Sequence, residues 1–176
     1  AGSSAGFLMA FTALFDAGAR IAIADPSYPA YRNILKALDL KLARLGATEA
    51  SRFQPDPHLL ADAGRMGHVD GVLAASPANP TGATLSRDAL VDLVEECQRI
   101  GATFISDEIY HGIEFGERAV SALEITSDAI VVNSFSKYFS MTGWRVGWLV
   151  APEPMIPVFE RLSQNLYICA PHVGQV

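Results

Sequence analysis

The chain has 176 residues, 50% of them apolar, with 13 basic and 19 acidic residues giving a formal charge of −6. That length and apolar share suit one domain with a real core and exclude a disordered chain. The acidic balance gives no sign of the basic patch that nucleic-acid binding favours, and the longest apolar stretch, Ala5–Phe15, runs into Asp16 and Arg20, too soon to span a membrane.

A helix is expected over about Ser4–Phe15. It is apolar nearly all round (Phe7, Leu8, Met9, Phe11, Leu14), so it should be buried, and Gly18 lies just beyond it. A strand over Arg20–Ala24 follows and leads into DPSYPAY. The next strand is expected at Lys41–Leu45, and the Pro-rich patch FQPDPH (Phe53–His58) reads as a loop. A strand at Gly71–Ala75 opens into SPANPTG. A helix then runs from about Ser86 to Ile100. Ser86 is placed to cap it, Asp88 suits its first turn, and Leu90, Leu93, Val94, Cys97 and Ile100 make one apolar stripe that Gly101 ends. Strands at Thr103–Ser106 and Ile130–Asn133 lead into DEIY and SFSK, and a last strand is expected at Val146–Val150.

Several of these strands are almost continuously apolar, as strands covered on both faces must be. Alternation of such strands with helices predicts an α/β, three-layer fold, a mostly parallel sheet with helices on both faces. Ligands in such sheets bind at the carboxyl ends of the strands, and there the unusual residues fall.

Taken singly, these residues have ordinary readings. SYPAY is a proline turn with an aromatic, NPTG a common turn, Asp107 a helix cap, Lys137 a surface lysine, and Ser3 and Ser4 an N-cap. Trp144 and Trp148 read as packing residues. Glu108, beside Asp107 at a strand end, points to the opposite side and reads as structural, and His111 also takes the ordinary reading, with a place near the ligand pocket as the alternative. No Gly-x-Gly-x-x-Gly run and no Gly-Lys-Ser/Thr ending marks a nucleotide loop. Cys97 and Cys169 have no partner motif and read as free thiols of a reducing, cytoplasmic setting. The histidines His58, His68, His111 and His172 are too scattered for a local metal cluster.

Together the residues are specific. The set holds a helix start with small hydroxyls, which is an anion site, and an arginine whose fork suits phosphate. It adds a flat aromatic, an asparagine and a tyrosine able to bond a phenolic oxygen, a carboxylate and a lysine. Pyridoxal 5′-phosphate uses all of these.

The motifs GSSAGF, PSYPAY, NPTG, SDEIY and SFSKYFSMTGWRVGW stand in an order and spacing that resemble the class I/II aminotransferases of the aspartate-aminotransferase fold type, across essentially the whole chain. The resemblance implies roles residue by residue. Lys137 matches the Schiff-base lysine, and Asp107 the acid paired with the pyridine nitrogen. Tyr110 and Asn79 match the pair bonding the cofactor's 3-oxygen. Tyr28 matches the aromatic stacked on the ring. Ser134, Arg145, Ser3 and Ser4 match the phosphate ligands. Lys137, Asp107 and Tyr110 would then carry the catalysis. An Asn-Pro bond of this kind is often cis in the family, so Asn79–Pro80 is expected to be cis.

The implied activity is transfer of an amino group between an L-amino acid and a 2-oxo acid. The same cofactor frame also serves C–S β-lyases and decarboxylases, and it forms the sensor half of some transcription regulators. Ammonia and pyruvate formed without an oxo-acid acceptor would mark a lyase, and an upstream DNA-binding module a regulator. The chain opens AGSSAGF and ends HVGQV, and residues 1–176 read as the central part of the large cofactor-binding domain. On that resemblance an N-terminal arm, the C-terminal small domain with the arginine that clamps the substrate carboxylate, and a second subunit of a homodimer lie outside it. Arg99 and Arg161 sit in helical stretches and read as solvated.

Overall fold

A computed structural model describes residues 1–176. Helix α1 (Gly2–Leu14) is followed by β1 (Arg20–Asp25), α2 (Pro29–Ala37), β2 (Lys41–Gly46), α3 (Pro57–Arg65), β3 (Gly71–Ala75), α4 (Arg87–Ile100), β4 (Thr103–Asp107), β5 (Ile130–Ser134), β6 (Gly147–Val150) and α5 (Ile156–Leu166). All six expected strands are present, each within a residue of its expected bounds. They form one sheet in the order β2-β1-β3-β4-β5-β6, parallel throughout except for the antiparallel pair β5–β6.

The period of two along each strand divides the core into two layers. Val72, Phe104 and Val131 point to a cluster shared with Leu60 of α3 and Leu90, Leu93, Val94 and Cys97 of α4. Their neighbours Leu73, Ile105, Ile130 and Val132 point the other way, onto Phe7 and Phe11 of α1, Tyr31 and Leu35 of α2 and Phe159 of α5. Helix α4 ends as its sequence requires. Ser86 accepts a bond from the Ala89 N–H at 3.3 Å, and Gly101 closes the helix at φ +73°.

Two expectations are corrected. FQPDPH is only partly a loop: Asp56 accepts from the Leu59 N–H at 2.9 Å and Pro57 opens α3. An N-cap aspartate before a proline at the first helical position is a start signal. In the same segment Gln54 is buried, donating to the Ala75 and Ala83 carbonyls at 3.0 and 2.7 Å. The second correction concerns Trp144 and Trp148, which are 44% and 38% exposed. Strand β6 is the sheet's edge, and Trp148 on it makes a T-shaped contact with Phe135, at 5.1 Å between ring centroids, with its other side toward solvent.

Candidate active site

Parallel strands deliver their next residues to one end of the sheet. The turns after β1, β3, β4 and β5 therefore meet there, joined by the start of α1 and the loop before β6. They enclose a cavity of about 190 Å³. Seven of the nine expected residues line it: Ser3, Tyr28, Asn79, Asp107, Tyr110, Lys137 and Arg145. Two do not. Ser4 is exposed on the first turn of α1. Ser134 is 1% exposed, and its hydroxyl accepts from the Ser136 N–H at 3.1 Å, fastening the turn that carries Lys137.

Asp107 ends β4, buried at 4% exposure. The Tyr31 hydroxyl donates to its Oδ2 and the Ile109 N–H to its Oδ1, at 3.1 Å for the latter. Burial pushes its carboxyl up to about 6, although the bonds from Tyr31 and Ile109 oppose this. Burial also holds the Tyr31 phenol well above its ordinary value, and the Asp107 charge adds to the effect. A dry carboxylate bordering a cavity is suited to a cationic N–H donor.

Asn79 and Tyr110 come from different turns and touch, Nδ2 donating to the phenol oxygen at 3.3 Å. Both can turn donors toward one acceptor in the cavity. The Asn79–Pro80 bond is cis, as expected, and so are Asp25–Pro26 and Ser76–Pro77. Lys137 Nζ stands over the Tyr110 ring, 5.7 Å from its centroid. Tyr28 packs its edge against Tyr31, with centroids 5.5 Å apart.

At the other end of the cavity, α1 begins with no side-chain cap and no acidic residue in its first turn. Arg145 lies across that terminus. Its Nη1 donates to the Thr142 carbonyl at 2.9 Å and its Nη2 to the Ala1 carbonyl at 3.2 Å. Gly2, at φ +72°, makes the approach achievable, because a Cβ there would stand 2.5 Å from Arg145 Nη2. Free helix N–H groups beside a guanidinium form a cradle for a dianion.

The family model for aminotransferase class I and II matches residues 1–176. The chain belongs to the class I and II aminotransferases. A valine–pyruvate aminotransferase of Mycobacterium tuberculosis is 43% identical over 177 residues, covering 99% of this chain and 45% of that protein. A (5-formylfuran-3-yl)methyl phosphate transaminase of Methanocaldococcus jannaschii is 32% identical, covering 99% and 44%. The solved structure of an aminotransferase candidate from Silicibacter pomeroyi superposes with a TM-score of 0.94 at 55% identity, covering 99% of this chain and 46% of that one. The chain thus spans about half the length of the relatives it matches.

Tyr31, Ser136 and Thr142 also line the cavity, and the sequence reading did not single them out. Tyr31 stands three positions after Tyr28 on the first turn of α2, a helix the sequence reading did not expect, and the two rings pack against each other there. Thr142 donates to the Ser136 carbonyl at 2.6 Å and closes the Lys137 loop on itself, a pairing that no local signal announces. Glu108 points away from the cavity, as expected, and accepts from Ser106 Oγ, Ser121 Oγ and the Ala122 N–H at 3.2, 3.0 and 2.8 Å. His111 is not in the cavity wall. Its Nε2 lies 3.0 Å from the Ser76 carbonyl.

Proposed function

We propose that the protein containing this chain is a pyridoxal-phosphate-dependent aminotransferase, moving an amino group between an L-amino acid and a 2-oxo acid. One observation carries the reading: a lysine, a buried carboxylate and an arginine-backed helix terminus border one cavity of about 190 Å³. The residues fit the cofactor at both ends, with a cradle for its phosphate where Gly2 leaves room and a buried carboxylate for its ring nitrogen.

When bound, pyridoxal phosphate supplies an aldehyde carbon that carries the amino group and a ring that withdraws electrons. The chain's own residues do the rest. Arg145, Ser3 and the α1 N-terminus hold the phosphate and fix the ring's position. Tyr28 covers one face of the ring. Asn79 and Tyr110 donate to its phenolic oxygen. Asp107 holds a proton on its ring nitrogen, and Tyr31 and Ile109 hold Asp107. Lys137 would hold the cofactor through its amine and, once freed by the substrate amine, would be the base and acid placed to carry a proton beside the substrate's α-carbon.

Residues 1–176 are, on this reading, the central part of the large domain. Arg99 pairs with Glu96 on the surface at 2.6 Å, and Arg161 is exposed on α5, so the clamp for the substrate carboxylate is assigned to chain outside this segment. Half-exposed Tyr138, Phe139, Trp144 and Trp148 support a homodimer whose partner covers them. No helix is long and apolar enough to cross a membrane, and the unpaired Cys97 and Cys169 support a cytoplasmic setting.

The test is a half-reaction screen on the intact protein. Amino acids are added singly, valine among the first, and the absorbance is followed for conversion of the cofactor to its amine form. Conversion, reversed by a 2-oxo acid, supports the reading. Release of ammonia and pyruvate with no acceptor present would replace it with a lyase.

A further inference from the structure

Asn79 and Tyr110 act as a pair, yet they sit on turns from two different strands. The ladder aligns those strands only as far as Ala75 opposite Asp107. Beyond it, one backbone bond (Ser76 N–H to the Asp107 carbonyl, 3.2 Å) continues the pairing, and Pro77 and Ala78 then separate Ser76 from Asn79. Something else must set how far apart the two turns stand.

His111 occupies that gap. Its Nε2 lies 3.0 Å from the Ser76 carbonyl and its Nδ1 lies 3.5 Å from Glu108 Oε2. Glu108 is itself fixed, because its other oxygen takes donors from Ser106 and from the 3-10 turn Ala122–Glu124 and its cap. The Ser76 carbonyl can only accept, so a bond there is donated by Nε2–H, and Nδ1 pairs with the Glu108 carboxylate when the ring is protonated. The ring is a strut between an immobile carboxylate and the root of the Asn79 turn, and it follows Tyr110 directly in the chain.

We infer that His111 is a positioning residue: bridging Glu108 and the Ser76 carbonyl, it sets the distance between Asn79 and Tyr110 and so the strength of the donor pair offered to the cofactor's phenolic oxygen. This rests on the cofactor reading above. Donors to a phenolic oxygen favour its deprotonated form, so loosening the pair raises the pH at which the bound cofactor's visible band changes.

The experiment uses the intact protein with His111→Leu and His111→Gln. In His111→Leu the pH midpoint of the visible band should rise by about 0.5 unit or more, and His111→Gln, whose amide can still donate to the carbonyl, should restore most of it. In the cofactor-free protein, hydrogen exchange at the Ala78 and Gly82 amides, which bond within the Asn79 turn, should be about tenfold faster in His111→Leu. If His111→Leu does not fold, His111→Asn, too short for the span, takes its place with the same expected shifts. A midpoint and exchange rates unchanged from the unsubstituted protein would overturn the inference. So would an equal shift in His111→Gln, since the ring's bulk and not its bond would then matter. Failure of the cofactor reading shows separately: the unsubstituted protein would have no visible band, while the exchange measurement would still report on the strut.

Discussion

The two ends of the cavity are built on opposite principles. At the ring end, Asp107 is buried among strands and helices, bonded by Tyr31 and the Ile109 N–H, and its carboxyl is pushed up to about 6. At the phosphate end, Arg145 and the α1 terminus lie near the surface, and their bonds to Thr142 and Ala1 are solvent-accessible. A buried group has a protonation state that its neighbours can set. A guanidinium at a helix terminus offers a fixed fork of donors and can only hold. Chemistry should therefore be sensitive to the ring end and retention to the phosphate end.

Lys137 stands between the ends, and its loss should have the largest effect. Lys137→Ala in the intact protein is expected to lower transamination by about a thousandfold or more. Borohydride should no longer leave the cofactor attached, which a mass measurement reads directly. Near-normal turnover would dissolve the comparison, because neither end would then be arranged around a reactive amine.

Asp107→Asn comes next and should divide the ends most clearly. Turnover should fall on the order of 10²–10³-fold while cofactor affinity falls much less. The sign of the pH effect also follows. The folded carboxyl is raised from 3.8 to about 6, so the cofactor-free fold holds this proton more tightly than the unfolded chain does. The resulting stability is complete below about pH 4 and is lost as pH rises through 6, roughly 3 kcal/mol for a fully buried group. Urea titrations of cofactor-free protein at pH 4 and 7 should show that slope, and Asp107→Asn should abolish it.

Arg145→Gln should give the reverse pattern. Cofactor affinity should fall roughly 10- to 100-fold, as loss of a charged hydrogen bond implies. Turnover at saturating cofactor should change less. Rising salt should weaken retention in the unsubstituted protein more than in the variant. Equal loss of affinity from Asp107→Asn and Arg145→Gln, with turnover spared in both, would remove the distinction between the ends. The smallest effect is expected from Tyr31→Phe. Without the phenol's bond, Asp107 should titrate higher still, and cofactor affinity at neutral pH should drop about tenfold. Carboxyl NMR of Asp107 in cofactor-free protein reads the first part without the cofactor.

The sheet was legible because β-branched and apolar runs of five residues, bounded by turn residues, have few other readings. Asp107 and Lys137 were legible because a carboxylate at the end of one apolar strand and a lysine in the turn after another lie where parallel sheets present ligands. Tyr31 and His111 were not. Their partners, Asp107 and Ser76, are 76 and 35 positions away, and a contact made by tertiary packing leaves no periodic trace. The exposure of Trp144 and Trp148 escaped for a related reason: a tryptophan's sequence does not say whether its strand stands at the sheet's edge.

Strand β6 runs against its neighbour, with Ser134 opposite Gly147. The Phe135 N–H also bonds the Val146 carbonyl at 3.1 Å. The loop that carries Lys137 and Arg145 is therefore a closed excursion whose two feet are bolted together. Gly147 cannot yield at the foot, since a Cβ there would stand 2.8 Å from the Asn133 carbonyl oxygen. The number of residues between the lysine and the arginine is thus a mechanical dimension, the span between attachment point and phosphate. Side chains such as Tyr138 and Phe139 can vary at the outer rim without altering it. One residue inserted there must either bulge into solvent or move one cation off its target, so this stretch tolerates change of letters far better than change of length.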